Sequence, residues 1–267
     1  MTDRLIIDCH HHLGRDPEYA AKLVDECARL GIAKVCTIAP TDEEGNSRLA
    51  ALLPQYGNTI IGFAVVHWTT DSPGDIVRYQ DQGFTGLKFI RPPAPYDEER
   101  WFALYEKAEE LGMPCLFHLG IVARRDSSVG MLVRNNCMRP IYLDTLARRF
   151  PQLQILGAHL GNPWYEEATM SARWNPNLYF DLTGSTLKKK RPEFLGQLLW
   201  WTPFTRYRDT EGRYAWEKIV FGSDVPYYEI HDVLHDYHRT MSALGLSEEI
   251  KWKVLGGTAA RILGIEK

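Results

Sequence analysis

The sequence predicts a single (β/α)8 barrel, and three observations lead to that prediction. Short apolar runs alternate with segments of helical periodicity along the whole chain. Eight such runs occur in 267 residues, which is close to the usual size of this barrel. The composition is 45% hydrophobic, enough for one sizeable core, so we expect residues 1–267 to form one domain.

The alternative architecture is a doubly wound open sheet. That fold normally carries a Gly-rich phosphate-binding turn directly after its first strand. Here histidines follow the first apolar run instead, which favours the barrel. The runs that we predict as strands are Leu5–Asp8, Lys34–Ile38, Ile60–Val66, Thr85–Phe89, Met113–His118, Gln154–His159, Leu178–Leu182 and Ile219–Asp224.

Helical periodicity is clearest between the fourth and fifth strands. Trp101, Leu104 and Ala108 form one apolar stripe, and Gly112 stands at the position of a helix C-cap. The least regular stretch, Trp200–Trp216, is aromatic and charged and is predicted as a loop on the barrel rim. The helices predicted with bounds are Tyr19–Leu30, Asp97–Leu111, Pro140–Phe150 and Glu248–Leu263.

Charge and composition narrow the class of protein. The formal net charge is −3, which does not favour a nucleic-acid partner, and no apolar stretch reaches transmembrane length. The basic run Lys188–Arg191 is predicted as a solvated loop. No signal peptide precedes the first strand, and the five cysteines show no C-x-x-C spacing. We therefore expect a cytoplasmic protein whose partner is a small-molecule substrate.

Ionisable side chains stand at the ends of four predicted strands. His10 and His12 lie two apart on the first strand and so point the same way, although a chance histidine run in a polar loop is the other interpretation. His118, His159 and Asp224 end the fifth, sixth and eighth strands. In a (β/α)8 barrel these strand ends share one mouth, where active sites lie. A buried cluster of imidazoles and a carboxylate is unfavourable unless something coordinates it, which indicates a metal site.

The motifs Asp-x-His-x-His, two single strand-end histidines and Gly-Ser-Asp resemble the amidohydrolase superfamily. Asn46, Gly86-Leu87-Lys88, Phe150-Pro151 and the segment Phe221–Pro226 are similar to a narrower, amidohydrolase-related group. That group includes aminocarboxymuconate-semialdehyde decarboxylase, resorcylate-type decarboxylases, and pyrone and sugar-acid lactonases. The chain departs from it at Gly257-Thr258-Ala259, where Asn-Ala is common. The chain is also shorter than the decarboxylases of the group, which makes a decarboxylase a weaker interpretation than a hydrolase.

The resemblance implies that His10, His12, His118 and Asp224 bind one divalent metal, usually zinc, with manganese as the alternative. Three imidazoles would leave the metal charge unneutralised, so a bound water would be acidified. Asp224 would then take the proton of that water and pass it to the leaving group. His159 would stand beside the metal and either hydrogen-bond the carbonyl oxygen or move a proton. Related barrels are often dimers, which makes a homodimer the expected assembly.

Five residues beyond the metal set are candidates for substrate binding. Lys88 ends the fourth strand and could contact substrate, support the ligands, bridge a second metal after carboxylation, or be structural. Arg91 and Arg124 could clamp a carboxylate, or simply be solvated. Trp164 and Tyr227 could wall a ring-shaped substrate, or pack. Asp8 and His11 are expected to brace the strand rather than to bind metal.

The sequence thus favours a metal-dependent hydrolase that acts on a small lactone or another cyclic ester or amide, with or without a carboxylate. The first alternative is a non-oxidative decarboxylase that uses the same ligands on a small aromatic or unsaturated carboxylic acid. The second is a barrel that binds a ligand without catalysis. An intact set of strand-end donors argues against the second alternative, because a binder has no need of a base beside a metal.

Overall fold

The computed structural model describes residues 5–123, 132–204 and 214–265. Eight parallel strands form one sheet in chain order, so the predicted single-domain (β/α)8 barrel is confirmed. The strands are β1 (Ile6–His12), β2 (Ile32–Ile38), β3 (Ile60–Val65), β4 (Gly86–Phe89), β5 (Cys115–Phe117), β6 (Ile155–Gly157), β7 (Leu178–Asp181) and β8 (Ile219–Val220).

Backbone hydrogen bonds between β1 and the segment that follows β8 bring the first and last strands together. The amide of Cys9 donates to the carbonyl of Phe221 at 2.8 Å, and the amide of Asp224 donates to the carbonyl of His10 at 2.7 Å. This seam places His10 beside Asp224, although the two residues lie near opposite ends of the chain. It also rules out the open doubly wound sheet.

Helices surround the strands and bury one apolar face each. The helix that follows β1 has the predicted bounds, Tyr19–Leu30, and is capped by Gly31, which is left-handed with φ 71°. A 3₁₀ turn at Glu99–Trp101 replaces the first turn of the helix predicted over Asp97–Leu111. The helices are α1 (Tyr19–Leu30), α2 (Gly45–Tyr56), α3 (Pro73–Asp81), α4 (Phe102–Glu110), α5 (Ile141–Arg149), α6 (Tyr165–Trp174), α7 (Ser185–Lys189), α8 (Pro192–Leu198), α9 (Ile230–Ala243), α10 (Glu248–Trp252) and α11 (Thr258–Ile262).

The last predicted helix is not continuous. A π-helical segment, Lys253–Gly257, separates α10 from α11. Gly256 lies so close to the start of β1 that a Cβ there would stand 1.9 Å from the carbonyl oxygen of Leu5. Because only glycine allows this approach, the Gly-Gly pair lets the C-terminal segment pack against β1, and the extra residue of the π turn accommodates it.

Several strand ends differ from the prediction. β1 continues to His12, whereas β5, β6 and β8 end before the predicted His118, His159 and Asp224. His159 and Asp224 have left-handed backbones, with φ of 62° and 47°. A left-handed residue cannot continue a strand, so each of these side chains stands on a turn just above its strand.

Two surface predictions also change. The basic run is not all loop, because Lys188 and Lys189 form the last turn of α7. In the predicted rim loop, residues 205–213 lie outside the described part of the chain, and Ala215–Lys218 is a 3₁₀ turn. Within the described ranges, no helix is both long and apolar enough to cross a membrane.

Candidate active site

His10 and His12, the two histidines of the Asp-x-His-x-His motif, lie at the barrel mouth. Asp224, which follows β8, lies beside them. The Nε2 atoms of His10 and His12 are 3.3 Å apart. Oδ1 of Asp224 lies 3.5 Å from Nε2 of His12 and 3.7 Å from Nε2 of His10. One ligand atom from each residue thus falls within 4.8 Å of the other two. Alternation along β1 and the seam with β8 together produce this cluster.

The cluster is buried on one side and open on the other. His10 is 1% exposed, the side chain of Asp224 is 25% exposed, and that of His12 is 41% exposed. The donor atoms are therefore fixed by the barrel, while a small molecule can reach them from the mouth.

The distances fit a divalent ion. Ligand atoms bonded to a tetrahedral zinc at about 2.0–2.1 Å stand roughly 3.3–3.4 Å from one another. In the cluster, the Nε2 atoms of His10 and His12 are 3.3 Å apart, and Oδ1 of Asp224 is 3.5 Å from Nε2 of His12. Two imidazoles and a carboxylate are also donors that zinc and manganese accept. The residues present therefore fit the metal.

His118 lies beside His159 rather than within the three-residue cluster. Nδ1 of His118 is 3.4 Å from Nε2 of His159, and the rings meet edge to face. Nε2 of His118 is buried and has no hydrogen-bond partner among the described residues. A buried nitrogen without a partner is unfavourable, so this atom is the natural place for a further metal contact.

His159 is held by its backbone and its ring. Its amide donates to Oδ1 of Asp181 at 2.8 Å, which fixes the left-handed turn. Its Nδ1 lies 2.7 Å from Oγ1 of Thr183 and 3.9 Å from Oδ2 of Asp224. The ring of His159 thus lies between Asp224, the predicted base, and Thr183, which the sequence does not single out.

Asp181 and Thr183 form a pair behind the histidines that is not predicted from the sequence. Asp181 is 1% exposed at the end of β7, and its Oδ2 lies 2.8 Å from Nδ1 of His10. The prediction extends the strand to Leu182, which makes Asp181 look like an interior residue. The signal that could have found it is a lone carboxylate in the apolar run Leu178–Leu182, at the same strand end as the other candidates.

Lys88 points into the same interior. It is 1% exposed, and its Nζ lies 3.3 Å from Nε2 of His10. Burial lowers the pKa of Lys88 to about 8, against the opposing effect of Asp224 and Asp181. The lysine therefore contacts a candidate ligand directly.

The carboxyl groups of the site differ in their environments. Burial alone would raise the pKa of Asp224, but the electrostatic interaction of its carboxylate with the neighbouring His10 and His12 rings outweighs burial and holds that pKa below its ordinary value. Burial likewise opposes ionisation of Asp181, yet His10 keeps the pKa of this carboxyl well below its usual range. Burial dominates at His118 and His159 and lowers the pKa of both rings.

Asp8 and His11 lie behind the cluster. Oδ1 of Asp8 accepts hydrogen bonds from the amides of His10 and Ser223, both at 3.0 Å. Burial raises the pKa of Asp8 to about 7. His11 is fully buried between the hydroxyls of Ser223, at 3.0 Å, and Tyr19, at 3.1 Å. Both residues join β1 to its neighbours, as their predicted structural roles require.

The predicted substrate residues are spread around the mouth. Arg91 follows β4 with φ 52°, and its buried Nε has no hydrogen-bond partner in the described ranges. Trp164 stands at the N-cap of α6, and the guanidinium of Arg139 lies 5.4 Å from the centroid of its ring. The amide of Tyr227 meets the hydroxyl of Tyr19 at 3.2 Å. Arg124 lies outside the described residues.

Sequence comparison decides the family. A family model described as amidohydrolase matches residues 7–265, which is nearly the whole chain. The chain belongs to the amidohydrolase family. The match includes every strand-end residue of the candidate site, so the resemblance predicted from the motifs is confirmed. A search of curated proteins finds no match.

Solved structures share the fold of this amidohydrolase at low identity. A probable 2-pyrone-4,6-dicarboxylic acid hydrolase from Acinetobacter baumannii, with citric acid bound, is 14% identical with a TM-score of 0.67, covering 97% of this chain and 99% of that one. The 5-carboxyvanillate decarboxylase from Sphingomonas paucimobilis is 14% identical with a TM-score of 0.67, covering 98% and 99%. An amidohydrolase from Burkholderia multivorans with bound zinc is 14% identical with a TM-score of 0.65, covering 98% and 100%. At this identity the likeness shows the fold alone.

The arrangement in this amidohydrolase has two chemical capacities. The cluster of His10, His12 and Asp224 can hold a divalent ion at an accessible mouth. The pair of Asp224 and His159 can accept and return protons beside it, because a carboxylate and a neutral imidazole both carry free lone pairs.

Proposed function

We propose that this amidohydrolase is a mononuclear metal-dependent hydrolase of a small lactone or another cyclic ester or amide, with or without a carboxylate. The observation that carries the proposal is the cluster of His10, His12 and Asp224, whose donor atoms lie within 4.8 Å of one another at the mouth. A structural cluster would be closed to solvent, whereas the side chain of His12 is 41% exposed.

His10, His12, Asp224 and the unpartnered Nε2 of His118 would hold the ion, zinc first and manganese as the alternative. A divalent ion bound there would supply an acidified water and polarise the carbonyl of the substrate. Around it, Asp224 would accept the proton of the attacking water on a carboxylate oxygen. Asp224 would then return that proton to the leaving oxygen or nitrogen, so that ring opening is balanced.

His159 is the second proton-handling group. Its Nδ1 lies 3.9 Å from Oδ2 of Asp224, so both side chains address the same reacting region. Trp164 and Tyr227 are proposed to wall the substrate at the rim. The depth of Lys88 and its contact with His10 favour a supporting role toward the ligands. A homodimer is the proposed assembly, to be measured by analytical ultracentrifugation.

Metal content tests the proposal directly. Protein purified without added metal should carry about one equivalent of zinc or manganese per chain, and His12→Ala should lose most of it, because one ligand is removed. Elemental analysis measures both. The matched control is His231→Ala, since His231 is 51% exposed on α9 and pairs with Asp232. About two equivalents would instead assign a bridging role to Lys88, and a metal-free protein after reconstitution would refute the mechanism.

Arg91 is proposed to bind a carboxylate on the substrate, because its Nε is buried without a partner in the described ranges. A charge-assisted hydrogen bond contributes about 1.5–3 kcal/mol, so Arg91→Gln should raise KM for a carboxylated lactone about 10–100-fold. The same variant should leave KM for the carboxyl-free lactone within about twofold, as should the surface control Arg29→Gln for both substrates. Equal changes for both lactones would remove Arg91 from substrate binding.

Decarboxylation is the second candidate reaction, because a proton delivered by Asp224 or His159 beside the metal cluster would serve equally to protonate the carbon that loses CO₂. The two reactions differ in product: hydrolysis releases acid from a lactone, and decarboxylation releases CO₂ from a carboxylated phenol. A screen of both panels with the metal-loaded protein separates them. Chelator-sensitive CO₂ release without lactone hydrolysis would replace the hydrolase proposal with the decarboxylase.

A further inference from the structure

Both carboxylate oxygens of Asp181 are committed to the active-site rings or to groups that contact them. Oδ2 lies 2.8 Å from Nδ1 of His10. Oδ1 accepts hydrogen bonds from the amides of His159 and Thr183, at 2.8 and 2.9 Å, and from the hydroxyl of Thr183 at 2.5 Å. A side chain that touches two neighbouring histidines, directly or through one hydroxyl, can decide which ring nitrogen carries the proton in each.

The first ring is that of His10. A carboxylate only accepts hydrogen bonds, so Nδ1 of His10 is the donor to Asp181. A neutral imidazole has one N–H, so Nε2 of His10 is unprotonated and its lone pair faces Nζ of Lys88 at 3.3 Å. That Nε2 is the atom that lies 3.3 Å from Nε2 of His12 in the cluster.

The second ring is that of His159, reached through Thr183. A hydroxyl has a single proton, and Thr183 donates it to Oδ1 of Asp181. The oxygen of Thr183, 2.7 Å from Nδ1 of His159, must therefore accept a hydrogen bond from that nitrogen. Nε2 of His159 is left unprotonated.

The third ring follows from the second. Nδ1 of His118 lies 3.4 Å from Nε2 of His159, a long contact in which His159 can act only as the acceptor. The proton of His118 then sits on Nδ1, and its Nε2 is bare. This is the buried Nε2 that has no hydrogen-bond partner among the described residues.

We infer that Asp181, acting with Thr183, is a positioning residue that keeps the ring protons of His10 and His159 on Nδ1. Toward the metal, the inference rests on the proposed function, because the bare Nε2 of His10 is the lone pair that a metal would take. It also changes the role of His159 expected from the sequence. A neutral His159 ring with an unprotonated Nε2 accepts a proton at that nitrogen. Its Nε2 can donate a hydrogen bond to a carbonyl oxygen only after it has taken up that proton.

The tautomers can be observed without metal or substrate. In protein labelled with ¹⁵N-histidine at about pH 8, above the ordinary histidine pKa, long-range ¹H–¹⁵N spectra distinguish a protonated from a bare ring nitrogen. His10→Asn and His159→Asn assign the two rings by the loss of their signals. We expect Nδ1–H in both rings of the unsubstituted protein. A proton on Nε2, or on both nitrogens, of either ring would overturn the inference.

Three variants then test separately the contact of Asp181 with His10 and its contact with His159 through Thr183. In Asp181→Asn the side-chain oxygen should stay with the amides of His159 and Thr183, so that the NH₂ group faces His10 and can only donate. The Nδ1–H state of His10 should then be lost, and Zn²⁺ affinity, measured by chelator competition, should fall about 10–100-fold. Thr183→Val should change the tautomer of His159 and leave that of His10. Thr186→Val is the matched control, because the hydroxyl of Thr186 donates to the backbone carbonyl of His159 at 2.7 Å and not to its ring; both rings should keep their state.

The outcomes separate this inference from the proposed function. Unchanged rings in Asp181→Asn together with Zn²⁺ affinity within twofold would refute it, as would identical spectra of Thr183→Val and Thr186→Val. If Asp181→Asn does not fold, the unsubstituted spectrum and the two threonine variants still decide. Expected tautomers in a protein that binds no Zn²⁺ would sink the proposed function and leave the inference standing.

Discussion

Asp224→Asn should lower kcat for the best substrate by about 10²–10⁴-fold in metal-saturated protein, the range for loss of a positioned proton acceptor. Asparagine has nearly the same shape but cannot take a proton, and its neutral oxygen is a weaker metal ligand. The substitution therefore tests the chemistry of the carboxylate with little change in packing, at a side chain 25% exposed.

Kinetic measurements with increasing Zn²⁺ divide that loss into its two parts. Activity that returns when the metal concentration is raised reports weakened binding, and the deficit at saturation reports the missing proton acceptor. The control is Asp232→Asn, since Asp232 has a 72% exposed side chain on α9 and should leave kcat unchanged. If saturated Asp224→Asn kept kcat within tenfold of the original, the proton acceptor would have to be another group, and His159 would be the first candidate.

Gly120→Ala should destabilise the protein by about 4 kcal/mol or prevent its folding, which places it among the most damaging single substitutions. Gly120 has φ 89°, and a Cβ there would lie 1.9 Å from the carbonyl oxygen of Asn162. The backbone of Asn162 cannot move aside as a flexible side chain could. The same carbonyl accepts the amide of Ile121 at 3.2 Å, so the clash would separate the segments that follow β5 and β6.

Gly112→Ala is the matched control for that prediction. Gly112 also has a positive φ, 65°, but a Cβ there would meet nothing within 4 Å. It should therefore suffer only the left-handed strain of about 1–2 kcal/mol. The free energies of unfolding from denaturant titration give the comparison. Equal losses at the two positions would mean that the close approach to Asn162 contributes nothing.

The sequence predicts the barrel and the histidines of its mouth because both follow from local rules. Period-two alternation puts His10 and His12 on one side of β1, and the strand-end rule of the fold selects His118, His159 and Asp224. Those rules need only the order of apolar runs. They explain why the barrel is predicted correctly even where strand ends are misplaced by a few residues.

The geometry of the site depends on contacts that no local pattern specifies. The left-handed turn at His159 exists because its amide is held by Asp181 from the next strand. The break in the last helix exists because Gly256 must pass close to Leu5. Asp181 itself is missed because an aspartate inside an apolar run has no periodicity of its own, and only the neighbouring strands show what it touches.

The seam between β1 and the segment after β8 also constrains when the site can form. During synthesis, His10 and His12 emerge early, whereas Asp224 emerges only after all eight strands have been made. The strands between them can pair with sequential neighbours, but the seam joins residues far apart along the chain and is entropically the most demanding contact. A metal ion that bridges β1 and Asp224 would act across that last junction. Its binding would favour the closed barrel over forms in which the first and last strands have separated.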